Sequence, residues 1–138
     1  MSTAHAFESG RDPIVADLVS QPLLTVEVDE SLWDAWQLLF VSGLRHLVVL
    51  SADGGSLGVL SDRSILAEVP ATAEHLSARR VGDVLAMVPL VSVLPTESPL
   101  SAARIMAANA VEAVPVLDAS GRLLGIVTES DIVRWLAR

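Results

Sequence analysis

The sequence predicts an α/β (α+β) fold of two tandem β-α-β-β-α units, packed sheet to sheet about a pseudo-twofold axis. Three observations predict it: an internal repeat, one order of elements in both copies, and a length that suits a single folded module. Sliding the 138-residue chain by 67 aligns residues 14–71 with 81–138 without a gap, and 14 of the 58 pairs are identical. Among them are Pro22 with Pro89, Glu30 and Ser31 with Glu97 and Ser98, Gly54 with Gly121, and Ile65 with Ile132. Chance in a chain so rich in Ala, Leu and Val gives roughly one pair in twelve. The excess marks a duplication.

Each copy opens with a short helical turn ended by proline, IVADLVSQP or VGDVLAMVP, and then a short strand, LLTV or LVSV. A helix follows the start signals DES and TES. Its apolar positions, Leu32, Ala35, Trp36 and Leu39 and then Leu100, Ala103 and Ala107, recur at three- and four-residue spacing. Two strands come next, HLVVL with SLGVL and AVPVL with LLGIV, joined by the turn chemistry of ADGG and DASG. The closing helices start at S-D-R-S, Ser61 to Ser64, and at T-E-S-D, Thr128 to Asp131. Between the copies, PATAEHLSARR has no strong period and reads as a connector. The predicted organisation is a flexible tail at 1–13, a first repeat at 14–71, a connector at 72–80 and a second repeat at 81–138. One 58-residue unit buries too little surface to be stable alone, whereas two packed by their sheets share a core.

Composition narrows the function. At 51% hydrophobic residues and mean hydropathy +0.53 the chain is too apolar for disorder. Its apolar runs fall far short of the roughly 18 residues that span a bilayer, and the first residues lack the apolar stretch of a signal peptide. No membrane association and a cytoplasmic location are expected. No cysteine is present and His5, His46 and His75 are scattered, so no metal site is expected. A net charge of −8 argues against a nucleic-acid surface, which demands clustered Lys and Arg. An anionic ligand therefore needs a local positive pocket, with Arg45 and His46, or Arg79 and Arg80, as the places to look. No G-x-S-x-G elbow, Walker loop or G-x-G-x-x-G is present, and no catalytic residue is assigned.

T-E-S-D carries two physical roles. Thr followed three residues later by an acid is a capping box, which satisfies the free N–H groups of a first helical turn. The same helix start attracts anions. In the first copy Ser61 stands where Thr128 stands, but Ser64 replaces the acid.

The gapless duplication, the ending G-hydrophobic-hydrophobic-[ST]-x-x-D and the strand VPVLD at 114–118 resemble the cystathionine β-synthase (CBS) domain family, in the tandem arrangement called a Bateman module. The resemblance covers residues 14–138. It implies two inter-repeat clefts that bind adenosine compounds, no obligatory cofactor, no catalytic activity, and a regulatory role toward a partner protein that the sequence does not name. The ligand it implies is an adenine nucleotide, AMP, ADP or ATP. It further implies that the hydroxyl of Thr128 and the helix start face phosphate, and that Asp131 holds the ribose hydroxyls. Arg45 and His46 would face this site from the other repeat, and Ser92, Val93, Val114 and Pro115 would line it. The cleft of Ser61 and Ser64 faces Glu112 instead, which repels phosphate, so one competent and one degenerate site are expected. Trp33 and Trp36 lie one turn apart, and with Trp135 they suggest a homodimer through the long helices. The alternative is a ligand-free structural or interaction module that dimerises through those helices.

Overall fold

The computed structural model describes residues 12–19 and 23–138; most of the expected tail, and Pro22, lie outside the described residues. A 3-10 lead-in turn, Val15–Leu18, precedes strand β1 (Thr25–Glu27), helix α1 (Leu32–Ser42), strands β2 (His46–Leu50) and β3 (Ser56–Ser61), and helix α2 (Asp62–Glu68). Helices α3 (Ala73–Ser77) and α4 (Val81–Leu85) link to α5 (Pro99–Asn109), β4 (Ala113–Leu117), β5 (Leu123–Thr128) and α6 (Glu129–Ala137). Among the described residues no helix is long and apolar enough to cross a membrane.

The long helices begin where the sequence places them. Ser31 Oγ accepts the Trp33 amide at the start of α1, and Ser98 Oγ accepts the Ser101 amide at the start of α5, where Pro99 fills a position whose N–H has no helical partner. The core face of α5 differs from expectation by one position. Pro99, Ala102 and Met106 are buried, as are their counterparts Leu32, Ala35 and Leu39, whereas Leu100 is exposed. Counting apolar residues along α5 alone favoured Leu100, Ala103 and Ala107; the repeat offset picks out the buried set. Both helices end in the left-handed region, at Gly43 (φ 73°) and at Ala110 (φ 54°). A side chain costs energy there. Ala110→Gly should therefore raise the unfolding free energy by about 0.5–1 kcal/mol, net of glycine's extra unfolded-state entropy, as urea titration would show.

In the first unit β1 runs parallel to β2, which pairs antiparallel with β3 and sets His46 opposite Ser61. In the second unit β4 and β5 repeat the hairpin, with Ala113 opposite Thr128. The expected strand LVSV shrinks to one bridge, Val93 to Val116. Two prolines account for it: in the first unit Val28 N–H bonds Leu50 O at 2.9 Å and Val48 N–H bonds Leu24 O at 3.1 Å, and their counterparts Pro95 and Pro115 have no N–H. The hairpin turns close with the same two residue types in opposite order. Asp53 Oδ1 accepts from Ser51 Oγ and the Gly55 amide, while Asp118 Oδ1 accepts from Ser120 Oγ and the Arg122 amide. These hydroxyl bonds hold both carboxyls below their usual range.

Among the described residues the apolar interior divides into three clusters rather than one shared core. Leu32, Leu47, Leu60 and Ile65 centre the first, and Val93, Met106, Val114 and Val116 the second. A thin layer of Val48, Val59, Ala113 and Ile126 joins sheet to sheet. The stretch expected as a bare connector contributes α3, whose Leu76 is fully buried in the first cluster.

The units also exchange their opening turns. Val15 packs in the second cluster and donates its amide to Glu97 O at 2.8 Å, while Val81 and Val84 pack in the first and Gly82 donates to Val28 O at 2.9 Å. Within these turns the structural offset is 66, not 67: Ile14 N–H bonds Asp17 Oδ2 as Arg80 N–H bonds Asp83 Oδ2, each at 2.9 Å. The gapless alignment is thus one residue out of register before β1. The second copy holds one more residue between Leu85 and Val93 than the first holds between Val19 and Val26. Each turn lies on a glycine of the other unit. A Cβ on Gly125 would overlap Val19 Cγ1, and one on Gly58 would meet Leu85 Cδ1 at 3.3 Å.

Candidate functional site

The starts of α2 and α6 are two versions of one cap. At α6, Thr128 Oγ1 accepts the Asp131 amide at 3.2 Å, and Asp131 Oδ2 accepts the Thr128 amide at 2.8 Å and its hydroxyl at 3.0 Å. Arg134 Nη2 donates to the other oxygen, Oδ1. At 4% exposure Asp131 is the only polar residue buried among the described residues. At α2, Ser61 Oγ accepts the Ser64 amide at 3.0 Å and Ser64 Oγ accepts the Ser61 amide at 2.9 Å. The neutral hydroxyl therefore completes the cap without an acid. Starting the helix does not by itself require the buried carboxylate of Asp131.

A cavity of about 330 Å³ opens at the start of α2, between Ser61, Arg63 and Ser64 on one side and residues 87–89, 91 and 110–113 of the second repeat on the other. Its volume lies at the lower end of the roughly 300–1,000 Å³ of small-molecule pockets. Val59, Val91, Val111 and Pro115 give it apolar walls. Glu112 stands at its edge, as expected, but it is not left alone: Arg63 Nη1 forms an ion pair with Glu112 Oε2. Arg63 escaped the sequence reading because its counterpart is Ser130, so repeat comparison gave it no weight. The fragment S-D-R-S was the available signal.

His46 lines this cavity rather than serving the Thr128 side alone, which corrects the expected division of residues between the clefts. Its Nε2 is buried and has no hydrogen-bond partner. Burial holds the imidazole below its usual pKa, against the opposing pull of Glu112; Arg45 adds to the lowering, and Asp62 and Asp131 oppose it. Pro115 also lines the Ser61 cavity, whereas Val93 and Val114 are buried in the second core, at 2% and 0% exposure. Ser92 is exposed. Val93 and Val114 therefore serve the second core rather than a cleft wall, because alternate residues of a strand face opposite sides and β4 turns Val114 into the helix layer.

Arg45 Nε lies 3.7 Å from Asp62 Oδ2, a largely exposed pair. Arg79 pairs with Asp83, and Arg80 donates to Asp29 O, so the second basic pair is spent within the first unit. Residues 20–22, the counterparts of 87–89 by the 67-residue offset, lie outside the described residues. Among the described residues no group of three or more His, Cys, Asp or Glu is placed to hold a metal ion.

The CBS domain model matches residues 15–71 and 81–138. The chain belongs to the CBS domain family. This CBS pair is 28% identical over 134 residues to a CBS domain-containing protein of Dictyostelium discoideum, covering 91% of this chain and 92% of that protein. It is 29% identical over 122 residues to the homoserine O-acetyltransferase of Methanococcoides burtonii, covering 88% of this chain but only 24% of that enzyme's length. Among solved structures, CBSX2 in complex with AMP matches with TM-score 0.73 and 29% identity, over 90% of this CBS pair and 96% of that chain.

Proposed function

We propose that this CBS pair is a regulatory module that binds an adenine nucleotide in the cleft at Thr128 and Asp131 and conveys its presence to a partner protein. The observation that carries the reading is the pair of caps. The first repeat starts its helix with two serines, so the buried carboxylate of Asp131 exceeds what capping needs. A carboxylate accepts two hydrogen bonds from a vicinal diol, and the N-terminus of α6 with the Thr128 hydroxyl suits an anion. The pseudo-twofold relation supports Arg45 as the facing cation. Residues 61, 63 and 64 meet 110–113 across the described cavity, and the 67-residue offset carries them to 128, 130 and 131 meeting 43–46. Among the described residues Arg45 is held by an exposed pair, worth little, which leaves its guanidinium available to phosphate. The AMP complex of CBSX2 supports the ligand class. The module itself performs no catalysis, and its ligand suits a cytoplasmic protein.

The test is calorimetry and thermal melting with AMP, ADP and ATP. Ligand at 100 times its dissociation constant should add about 2.7 kcal/mol of stability. Absence of any shift with all three would leave the ligand-free interaction module as the better reading.

A homodimer through the long helices fits the same reading, with other residues of α1 exposed than the expected tryptophans. Trp33 and Trp36 pack partly buried against the first core, so they are not the exposed patch. Phe40 and Val41 on α1 are exposed at 84% and 82%, Leu66 is exposed on α2, and Val133 and Leu136 are exposed on α6. Apolar side chains in such numbers usually mark an interface. The chain should run as a homodimer in light scattering at micromolar concentration, and Phe40→Asp with Val41→Asp should make it monomeric. A monomeric parent would count against it.

A further inference from the structure

We propose that two copies of this chain pair head-to-tail, the α1/α2 face of one copy packing on the α5/α6 face of the other. The inference rests on the homodimer proposed above and adds its arrangement. Within each unit the helices touch, α1 with α2 and α5 with α6, so the chain presents two helix faces that the 67-residue offset makes comparable position by position. They differ in size in a complementary way. Phe40 and Val41, exposed on α1, have exposed Ala107 and Ala108 as counterparts on α5. Conversely, the second face exposes Leu100 and Leu136, whose counterparts Trp33 and Val69 are half-buried and buried in the first core. Between Trp36, Leu39, Phe40, Leu44 and Asp62 the first face holds a recess of about 180 Å³, with room for a leucine side chain. Unlike faces therefore set large side chains against small ones or against a recess, which is how interface cores reach the packing of protein interiors. Like faces would set Phe40 and Val41 against themselves and alanine against alanine.

Charge selects the same pairing. Asp34 is the one charged residue of α1, and Arg104 is the one charged residue of α5. Both are exposed, and among the described residues neither forms an ion pair. Asp34 stands three and seven residues before Gln37 and Val41, while Arg104 stands three and four before Ala107 and Ala108. Each charge thus shares a side of its helix with the residues that make the contact. A twofold axis repeats every contact, so that residue i meets j and j meets i. Head-to-tail, each Asp34 meets the partner's Arg104. Head-to-head, carboxylate faces carboxylate and guanidinium faces guanidinium, and both repel. One exposed pair contributes little, but the choice here lies between two attractions and two repulsions, and fixing orientation is what interface charges do best.

The chain contains no lysine, all nine of its Lys and Arg positions being arginine. Arg104→Lys therefore introduces a single side-chain amine. A zero-length carbodiimide, which joins an amine to a carboxylate only where they touch, should then give a covalent dimer on a denaturing gel. Mass spectrometry should find its linked peptides carrying positions 34 and 104, and adding Asp34→Asn should remove that link. In analytical ultracentrifugation of otherwise unaltered protein, Asp34→Arg alone and Arg104→Asp alone should each raise the dimer dissociation constant about tenfold or more, and the two together in one chain should restore it to within about threefold of the parent. A dimer that yields no link between positions 34 and 104, or whose dissociation constant neither single reversal changes, overturns the head-to-tail arrangement while leaving the association reading intact. A parent chain that is monomeric at micromolar concentration overturns the association reading itself, and the arrangement with it.

Discussion

Asp131→Ser is expected to weaken adenine nucleotide binding by roughly 10- to 150-fold, about 1.5–3 kcal/mol, while leaving the fold nearly as stable as before. The direction follows from what each atom does. Ser64 shows that a serine at this place in the repeat returns the cap to the backbone N–H, so the variant should keep the start of α6. What it loses is the anionic acceptor for a ribose diol. Arg134 loses its partner too, but its side chain is 68% exposed and water replaces the contact. Asp131→Ala should lose similar affinity and also the cap, adding about 0.5–2 kcal/mol of instability. Calorimetry beside thermal melting separates the two effects. Unchanged affinity in Asp131→Ser would reduce the T-E-S-D motif to a helix start. Arg45→Ala should weaken ATP and ADP more than adenosine, with a difference that shrinks as salt rises.

The sequence made the duplication and both helix starts legible because each depends on local chemistry: Ser31 and Ser98 cap through their own side chains, and strands β2 to β5 alternate toward fixed neighbours. Ser64 in place of the acid reads as a degenerate site, and the geometry adds that Ser61 and Ser64 together form a complete cap. Features that depend on residues distant in sequence are harder to see. Pro95 shortens a strand only because the N–H it lacks would have met Leu117 across the sheet, so LVSV by itself looks as good a strand as LLTV. The exchange of opening turns is likewise invisible to an alignment of one repeat on the other, which superposes like with like and says nothing of which unit each turn covers. Arg63 was missed for the same reason: its meaning lies in Glu112, 49 positions away. The sequence assigns His46 to the cleft at Thr128, whereas it lines the cavity at Ser61.

The glycine that opens the motif G-I-V-T should prove intolerant for a reason that the motif does not state. Gly125→Ala is expected to cost about 1–3 kcal/mol in urea unfolding, the usual penalty for overfilling a packed interior. Its added Cβ falls on Val19 Cγ1, a side chain at the end of the turn that opens the first repeat yet lies against the second. The backbone of Gly125 is not in the left-handed region, so conformational strain is not the cause. The conflict is purely one of space, and shortening its partner should relieve it. Val19→Ala alone should cost little, since Val19 is only partly buried, and in the Gly125→Ala background it should recover much of the loss. The double-mutant cycle should then show a coupling of about 0.5–3 kcal/mol. Strictly additive effects would mean that the turn does not seat on Gly125. Gly58→Ala meets only the tip of Leu85, but its φ of 138° is one that alanine rarely adopts. That variant should therefore stay destabilised when Leu85 is trimmed, so rescue at one glycine and none at the other would distinguish the two causes.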